Sequence, residues 1–260
     1  MAEIKTIDGA RLNEIAAQRG FSREIMIRDY YVTLILYLLK DVKGIYFKGG
    51  TALHKIFLNH SRLSEDADYT CIRDVNEIRG EIEETLLETG IFTKVTKDKD
   101  VDSFVRLLAH YTNHQQKDDV VFIDLNKRAK LIEKPEVHIV PHFYPEDIPE
   151  FSVRCLAKKE MLAEKMAATI GRNKPRDHYD IYKIIQAGWK IDEKLVEKKC
   201  KLSGVEFNKI KMFNRAKKLY RRWNEDMVPM LAVPIEFEEV MTTLAEYFDL
   251  KGEKDKLKNR

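Results

Sequence analysis

The sequence predicts an α+β protein in which a mixed N-terminal part gives way, near residue 155, to an all-helical C-terminal part. Three observations carry this expectation. Between residues 45 and 125, short runs rich in β-branched and aromatic residues alternate with helical patterning. Residues 136–154 are interrupted by Pro141, Pro145 and Pro149, which suits a crossing segment with short extended pieces. From Leu156 onward the strand signals nearly vanish and helix follows helix. The expected domains are residues 1–155 and 156–260.

Taken in order, residues 23–41 read as a helix, with Ile25, Ile27, Tyr30, Tyr31, Leu34, Tyr37 and Leu38 at helical spacing. Gly44 ends it, and Ile45-Tyr46-Phe47 reads as a short buried strand. Gly49-Gly50 turns the chain into helical patterning from Thr51 to Leu58. Residues 67–72 alternate as a strand does, and the Glu-rich run 76–89 is a helix closed by Gly90. Strands are expected at 92–96, 104–111 and 120–125. Helices are expected at 158–171, 176–187, 193–202, 207–224 and 237–248.

Composition narrows the class. Hydrophobic residues make up 44% and charged residues 34%, enough for a core beneath a well-solvated surface. The longest uncharged apolar run, Tyr30 to Leu39, is about half the roughly 20 residues a spanning helix needs. The first residues carry Glu3, Lys5 and Asp8, not the basic and apolar stretches of a signal peptide. Cys71, Cys155 and Cys200 are odd in number and widely spaced, which points to a reducing compartment. A soluble cytoplasmic protein is expected. Net charge is only +3, but Lys209, Lys211, Arg215, Lys217, Lys218, Arg221 and Arg222 are interleaved with Phe213, Tyr220 and Trp223. Such a stretch suits a phosphate backbone, or equally the wet face of an amphipathic helix. The charged tail from Lys251 to Arg260 reads as frayed.

Four motifs carry chemistry. In Phe47-Lys48-Gly49-Gly50-Thr51-Ala52-Leu53, two glycines join a strand to a helix, so the backbone can approach a phosphate where the helix offers free N–H groups. Thr51 adds a hydroxyl. The same turn also serves plain packing. In Arg62-Leu63-Ser64-Glu65-Asp66-Ala67-Asp68, an extended chain puts Asp66 and Asp68 on one face. Neighbouring carboxylates repel unless a cation intervenes, and magnesium relieves the repulsion while holding nucleotide phosphates. Two such ions clamp the attacking and leaving oxygens of an in-line displacement. A solvated acidic turn that includes Glu65 is the competing reading. Asp124, inside the apolar run Val120 to Leu125, is costly unless paired or metal-bound. Beside the Asp66 strand it would complete a three-carboxylate site and help deprotonate an attacking hydroxyl; at a strand end it would simply be solvated. Lys165 and Arg172 lie two helical turns apart and share a face, with Arg176, Asp177 and Asp180 placed to orient them. Cations there suit a triphosphate, or a salt-bridge cluster fixing one helix pair.

Together these residues resemble the AbiEii/AbiGii-type toxin family of the DNA polymerase β-like nucleotidyltransferase superfamily. The resemblance rests on the Gly49-Gly50-Thr51 motif, the Asp66 and Asp68 motif, Lys165 and Arg176-Asp177-His178-Tyr179-Asp180-Ile181-Tyr182, and spans about residues 20–190. It implies a polymerase β-like core, a mixed sheet flanked by helices, followed by a helical domain closing the nucleotide cleft. By resemblance, Asp66 and Asp68 bind the catalytic metals, Mg²⁺ or Mn²⁺, with Asp124 a less regular third carboxylate. Gly49, Gly50, Thr51, Ser64, Lys165, Arg172 and Arg176 bind the nucleotide, and Lys165 and Asp180 match essential positions. Family members are toxins of type IV toxin–antitoxin and abortive-infection systems, and some add nucleotides to tRNA 3′ ends. The resemblance therefore implies a nucleoside triphosphate substrate, a tRNA acceptor and a cognate antitoxin. Ala52 stands where a serine is common, and Ala67 and Tyr69 where larger aliphatics are preferred; none of these is a charged position.

The leading expectation is transfer of a nucleoside monophosphate to an RNA hydroxyl. Nucleotidylation of a protein side chain and a non-catalytic nucleotide- or nucleic-acid-binding module are the alternatives. Retention of Asp66, Asp68, Asp124 and Lys165 speaks against the last.

Overall fold

The computed structural model describes residue 4, residues 6–127 and residues 130–252. Glu3 and Lys5, and the tail from residue 253, lie outside the described residues. The chain forms two compact units, Met1–Ala157 and Lys158–Arg260.

The first unit opens with a helix that the periodicity does not announce, α1 (Gly9–Arg19). Asp8 caps it by accepting from the Ala10 N–H, and Gly20 closes it in the left-handed conformation. Only Leu12 and Ala16 are buried along it, too sparse a stripe to stand out in the sequence. Helix α2 (Arg23–Leu38) is buried on nearly every side from Tyr30 onward, as its uncharged run there requires. Strand β1 (Ile45–Lys48) leads into α3 (Gly49–Ala52), which continues as a π-helical turn over Leu53–Phe57. Strand β2 (Asp66–Cys71) and helix α4 (Val75–Leu87) follow. Then come β3 (Phe92–Asp100), β4 (Phe104–Thr112), β5 (Asp118–Asn126), β6 (Glu136–Ile139) and β7 (Ser152–Cys155).

The seven strands form one mixed sheet in the order β3-β4-β5-β2-β1-β7-β6. Strand β2 runs parallel to β5 and antiparallel to β1, while β1 runs parallel to β7. Alternation is strict in the middle of the sheet. Phe47, Ala67, Tyr69, Leu107, Ile123 and Leu125 are buried on one face, whereas Lys48, Asp66, Asp68, Arg106 and Asp124 are half-buried on the other.

Beneath the π-helical turn lies a buried ion pair. Lys55 is 2% exposed and its ammonium donates to Asp29 Oδ1 (2.7 Å) and Thr33 Oγ1 (2.9 Å). Tyr144 donates to the other Asp29 oxygen at 3.1 Å. Every strong polar group there has a partner, the condition under which a buried pair is tolerated. The turn and α2 are thereby tied together. Loss of either charge would leave the other uncompensated.

The second unit contains α5 (Lys158–Arg172), α6 (Pro175–Gln186), α7 (Glu193–Leu202), α8 (Ala216–Met227) and α9 (Phe237–Tyr247). The single helix expected at 207–224 is instead a 3₁₀ segment, Lys209–Phe213, followed by α8. Asn208 caps the tight segment by accepting from the Ile210 N–H, and the chain leaves helical geometry at Arg215 (φ −115°, ψ 25°) before α8 begins. The long helix is thus a correction to the sequence reading.

His60 offers a test of the first unit's packing. Its ring lies against Phe143, Nε2 has no hydrogen-bond partner, and the residue is 6% exposed. Burial, followed by the Lys55 charge, pushes its pKa down to about 4. Because the unfolded chain binds this proton more readily, stability is full above about pH 6.5 and falls as pH drops towards 4. The loss attributable to His60 is about 3 kcal/mol across that window. Thermal melts of wild type and His60→Asn between pH 7.5 and 4 should show a clearly shallower acid slope in the variant; parallel slopes would refute the assignment.

Candidate active site

Hydrogen-bond register gathers the charged residues into one row. Lys48 on β1 stands opposite Asp68 on β2, Asp68 lies beside Asp124 on β5, and Asp124 stands opposite Arg106 on β4. Partners in register project to the same face, so a cation, two carboxylates and a second cation line up across four strands. Asp66, two residues before Asp68, shares that face and lies level with Phe122. The two-residue spacing of the aspartates therefore becomes a spatial pair because the chain is extended there.

The Gly49 turn abuts this row. Gly49 has φ 79°, a conformation that side chains rarely adopt, and a Cβ added there would sit 2.9 Å from Asp68 Cγ and closer still to Oδ2. Asp68 thus occupies the space that any other residue at 49 would fill. Thr51 is buried, and its hydroxyl donates to the Asp66 carbonyl at 2.6 Å. That hydroxyl ties the start of α3 to β2, where the sequence placed it beside the helix's free N–H donors. Ser64 is also buried and accepts from Arg62 Nη1 at 2.6 Å, and Arg62 donates as well to the Leu63 carbonyl at 3.0 Å. Glu65 is held by Arg28, which also reaches Asp119 at 3.4 Å, so the acidic turn is braced on α2 and β5.

Asp124 is engaged on both oxygens. Arg106 Nε donates to Oδ1 and Nη2 to Oδ2, each at 2.7 Å, the parallel fork that guanidinium and carboxylate favour. The guanidinium lies 4.9 Å from the Phe122 ring centroid and 5.9 Å from that of Phe104. Hydrogen bonding to Asp124 holds the Arg106 pKa above its ordinary value against the effect of burial, and the charges of Asp124 and Asp66 add to it. Among the described residues, no group of three or more His, Cys, Asp or Glu side chains converges as a metal cage. Asp66 and Asp68 remain a pair of hard oxygen donors on one face. That donor set suits a magnesium ion, which keeps several waters and takes one or two carboxylates together with substrate phosphates.

Arg106 was not legible as a site residue from sequence alone. Its signal is the hairpin turn: Asn113 N–H donates to the Lys117 carbonyl at 2.9 Å and Gln116 N–H to the Asn113 carbonyl at 2.9 Å, which centres the turn and sets Arg106 against Asp124.

In the helical unit, Lys165, Arg172, Asp177 and Asp180 form a second network. Lys165 Nζ lies 2.7 Å from Asp180 Oδ2 and 3.2 Å from Asp177 Oδ1. Arg172 grips Asp177 through Nε (2.7 Å) and Nη2 (2.8 Å). Burial pushes the Asp177 pKa up, but Lys165 and Arg172 outweigh it and bring the carboxyl down to about 2. Both aspartates are buried, whereas 54% of the Arg172 side chain is exposed. Arg176 stands outside this network, and its charge is felt instead by Lys174.

The basic stretch divides in two. Lys209 pairs with Glu193, Lys211 with Glu206 and Arg222 with Asp226. Arg215, Lys217, Lys218 and Arg221 are exposed on and just before α8. Trp223 is buried and donates to the Ile235 carbonyl at 2.8 Å, while Tyr220 remains 59% exposed.

Against this geometry, the sequence profile described as Nucleotidyl transferase AbiEii toxin, type IV TA system, matches residues 38–245. The chain belongs to the AbiEii nucleotidyltransferase toxin family. It is accordingly a nucleotidyltransferase, and a toxin of a type IV toxin–antitoxin system. Among solved structures, MenT4, a nucleotidyltransferase toxin of Mycobacterium tuberculosis H37Rv, is 22% identical with a TM-score of 0.59, over 89% of this chain and 76% of MenT4. JHP933 of Helicobacter pylori is 19% identical with a TM-score of 0.55, over 92% of this chain and 97% of JHP933. These likenesses show the fold, a polymerase β-like nucleotidyltransferase core with its mixed sheet and flanking helices. No curated protein sequence matches the AbiEii chain significantly. Among its described residues, no helix is long and apolar enough to cross a membrane.

The Gly49 turn is directly testable. Gly44 shares its backbone strain (φ 80°), but the atoms nearest a Cβ there belong to the Arg73 side chain and not to the carboxylate row. Gly49→Ala and Gly44→Ala should each lower stability by about 1–2 kcal/mol. Only Gly49→Ala should also abolish nucleotidyl transfer at temperatures where both variants are folded. Equal activity of the two folded variants would show that contact with Asp68 is irrelevant.

Proposed function

We propose that this AbiEii toxin transfers a nucleoside monophosphate from a nucleoside triphosphate to a hydroxyl of RNA, with the 3′ end of a tRNA as the acceptor. The observation that carries this reading is the pair Asp66 and Asp68 set on one sheet face against the Gly49 turn. Asp66 and Asp68 are the residues that would hold Mg²⁺ or Mn²⁺. An ion held by them would supply charge neutralisation to the phosphates. The acceptor oxygen bonds the α-phosphorus as the bond to pyrophosphate breaks, and the acceptor proton passes to solvent. Backbone N–H groups at Gly50 and Thr51 face phosphate at the start of α3, with Thr51 and Ser64 fixing the shape of that segment through Asp66 and Arg62.

The helical unit has cations of its own that suit phosphate. Arg172, held bidentately by Asp177 yet exposed, is pre-aimed and can meet phosphate without losing its orientation. Lys165 and Asp180 fix α5 against α6 and so set the place of Arg172. Arg176 adds charge at the start of α6. The exposed cations on and beside α8, with Tyr220 among them, suit a phosphate backbone and favour RNA over a protein acceptor.

The assay incubates purified protein with each triphosphate radiolabelled at the α-phosphate, divalent metal and total cellular RNA. Label should enter small RNA, and Asp68→Asn should reduce that by at least about a hundredfold. Label in protein would transfer the reading to side-chain nucleotidylation. Turnover by Asp68→Asn at the wild-type rate would sink the site assignment. Replacing Lys217, Lys218 and Arg221 together with Gln should weaken RNA binding and flatten its salt dependence by about two to three counterions. An unchanged salt slope would remove α8 from the acceptor surface.

A further inference from the structure

The Arg106–Asp124 pair sits in the proposed metal row, yet nothing in the chemistry of nucleotidyl transfer requires an arginine there. Its geometry is specific. Both carboxylate oxygens of Asp124 accept from one guanidinium at 2.7 Å, and that guanidinium is backed by Phe122 and Phe104. Asp124 is in register with Asp68, and Arg106 also feels the charge of Asp66. An arginine cannot lose its proton, so it places a permanent positive charge where a divalent ion would otherwise collect a third carboxylate.

We propose that Arg106 is a positioning residue that keeps the divalent-ion affinity of the nucleotide-free site low, so that metal enters together with the triphosphate. The proposal rests on the reading of Asp66 and Asp68 as the metal ligands. Two effects act in the same direction. Arg106 repels an incoming cation directly, and its fork holds Asp124 turned towards β4. With Asp124 so engaged, the protein offers two carboxylates, a set that binds magnesium weakly until phosphate oxygens complete the coordination. Release of Asp124 would raise the set to three and let the ion bind without nucleotide.

The row's outer neighbours fit this division. Lys48 stands opposite Asp68 at the other end, so both ends of the row carry a cation, and at the Arg106 end that cation closes a carboxylate with two prongs. A lysine, a point charge without a fork, would supply the repulsion and lose the bidentate hold.

Mn²⁺ binding to the nucleotide-free protein, followed by electron paramagnetic resonance, separates the possibilities without reference to turnover. Wild type should bind weakly and Asp68→Asn not detectably. Arg106→Gln should bind at least about tenfold more tightly, the scale of one screened charge contact on a partly exposed face. Adding Asp124→Asn to Arg106→Gln should return affinity to near the wild-type value, and Arg106→Lys should fall between. Circular dichroism melts establish that each variant is folded at the assay temperature. If Asp68→Asn binds Mn²⁺ as wild type does, the metal reading itself fails. If Asp68→Asn loses binding while folded Arg106→Gln binds no more tightly than wild type, the metal reading stands and the role given to Arg106 is overturned. A drop in affinity for Arg106→Gln would overturn it too, by showing that the fork holds Asp124 in a liganding pose.

Discussion

The site depends on one constraint, the register that sets Asp68 beside Asp124 on parallel strands and flanks them with Lys48 and Arg106. Like charges at neighbouring sheet positions destabilise the pairing, and cations on either side offset the repulsion. Slipping β2 against β5 by one residue would turn Asp66 and Asp68 into the apolar face and expose Ala67 and Tyr69. The buried face, with Phe47, Tyr69, Ile123 and Leu125, therefore enforces the position of the charged one. Folding and chemistry share a single alignment.

Around that alignment the local devices each fix one degree of freedom. Gly49 makes room for Asp68, and Thr51 fastens the start of α3 to the backbone of Asp66. The buried pair of Lys55 and Asp29 then anchors the π-helical turn to α2. In the helical unit a separate network does comparable work, with Asp177 and Asp180 holding Lys165 and Asp177 holding Arg172. Low solvent exposure makes these aspartates strong partners and leaves the charge of Arg172 facing outward.

Much of this was legible in the sequence because it is local. The alternation through Asp66 and Asp68, the strand–Gly–Gly–helix turn and the periodic helices α2, α5, α6 and α7 all follow from spacings of a few residues. The family and its fold followed from the order of those motifs, and the profile match and solved structures bear that out. What escaped is non-local or short. Arg106 meets Asp124 only through a hairpin register, and Lys55 meets Asp29 across 26 positions. Helix α1 buries too little to show a stripe, and the long helix expected over 207–224 is interrupted at Arg215 by a single non-helical residue conformation.

The most direct test of the account is a crystal structure of the protein soaked with Mn²⁺ and a non-hydrolysable nucleoside triphosphate, with anomalous scattering used to locate the ion. The account predicts an anomalous peak coordinated by Asp66 and Asp68 and by phosphate oxygens, with Asp124 still held by Arg106. A peak away from these two aspartates, or one bound to Asp124 with Arg106 displaced, would contradict it.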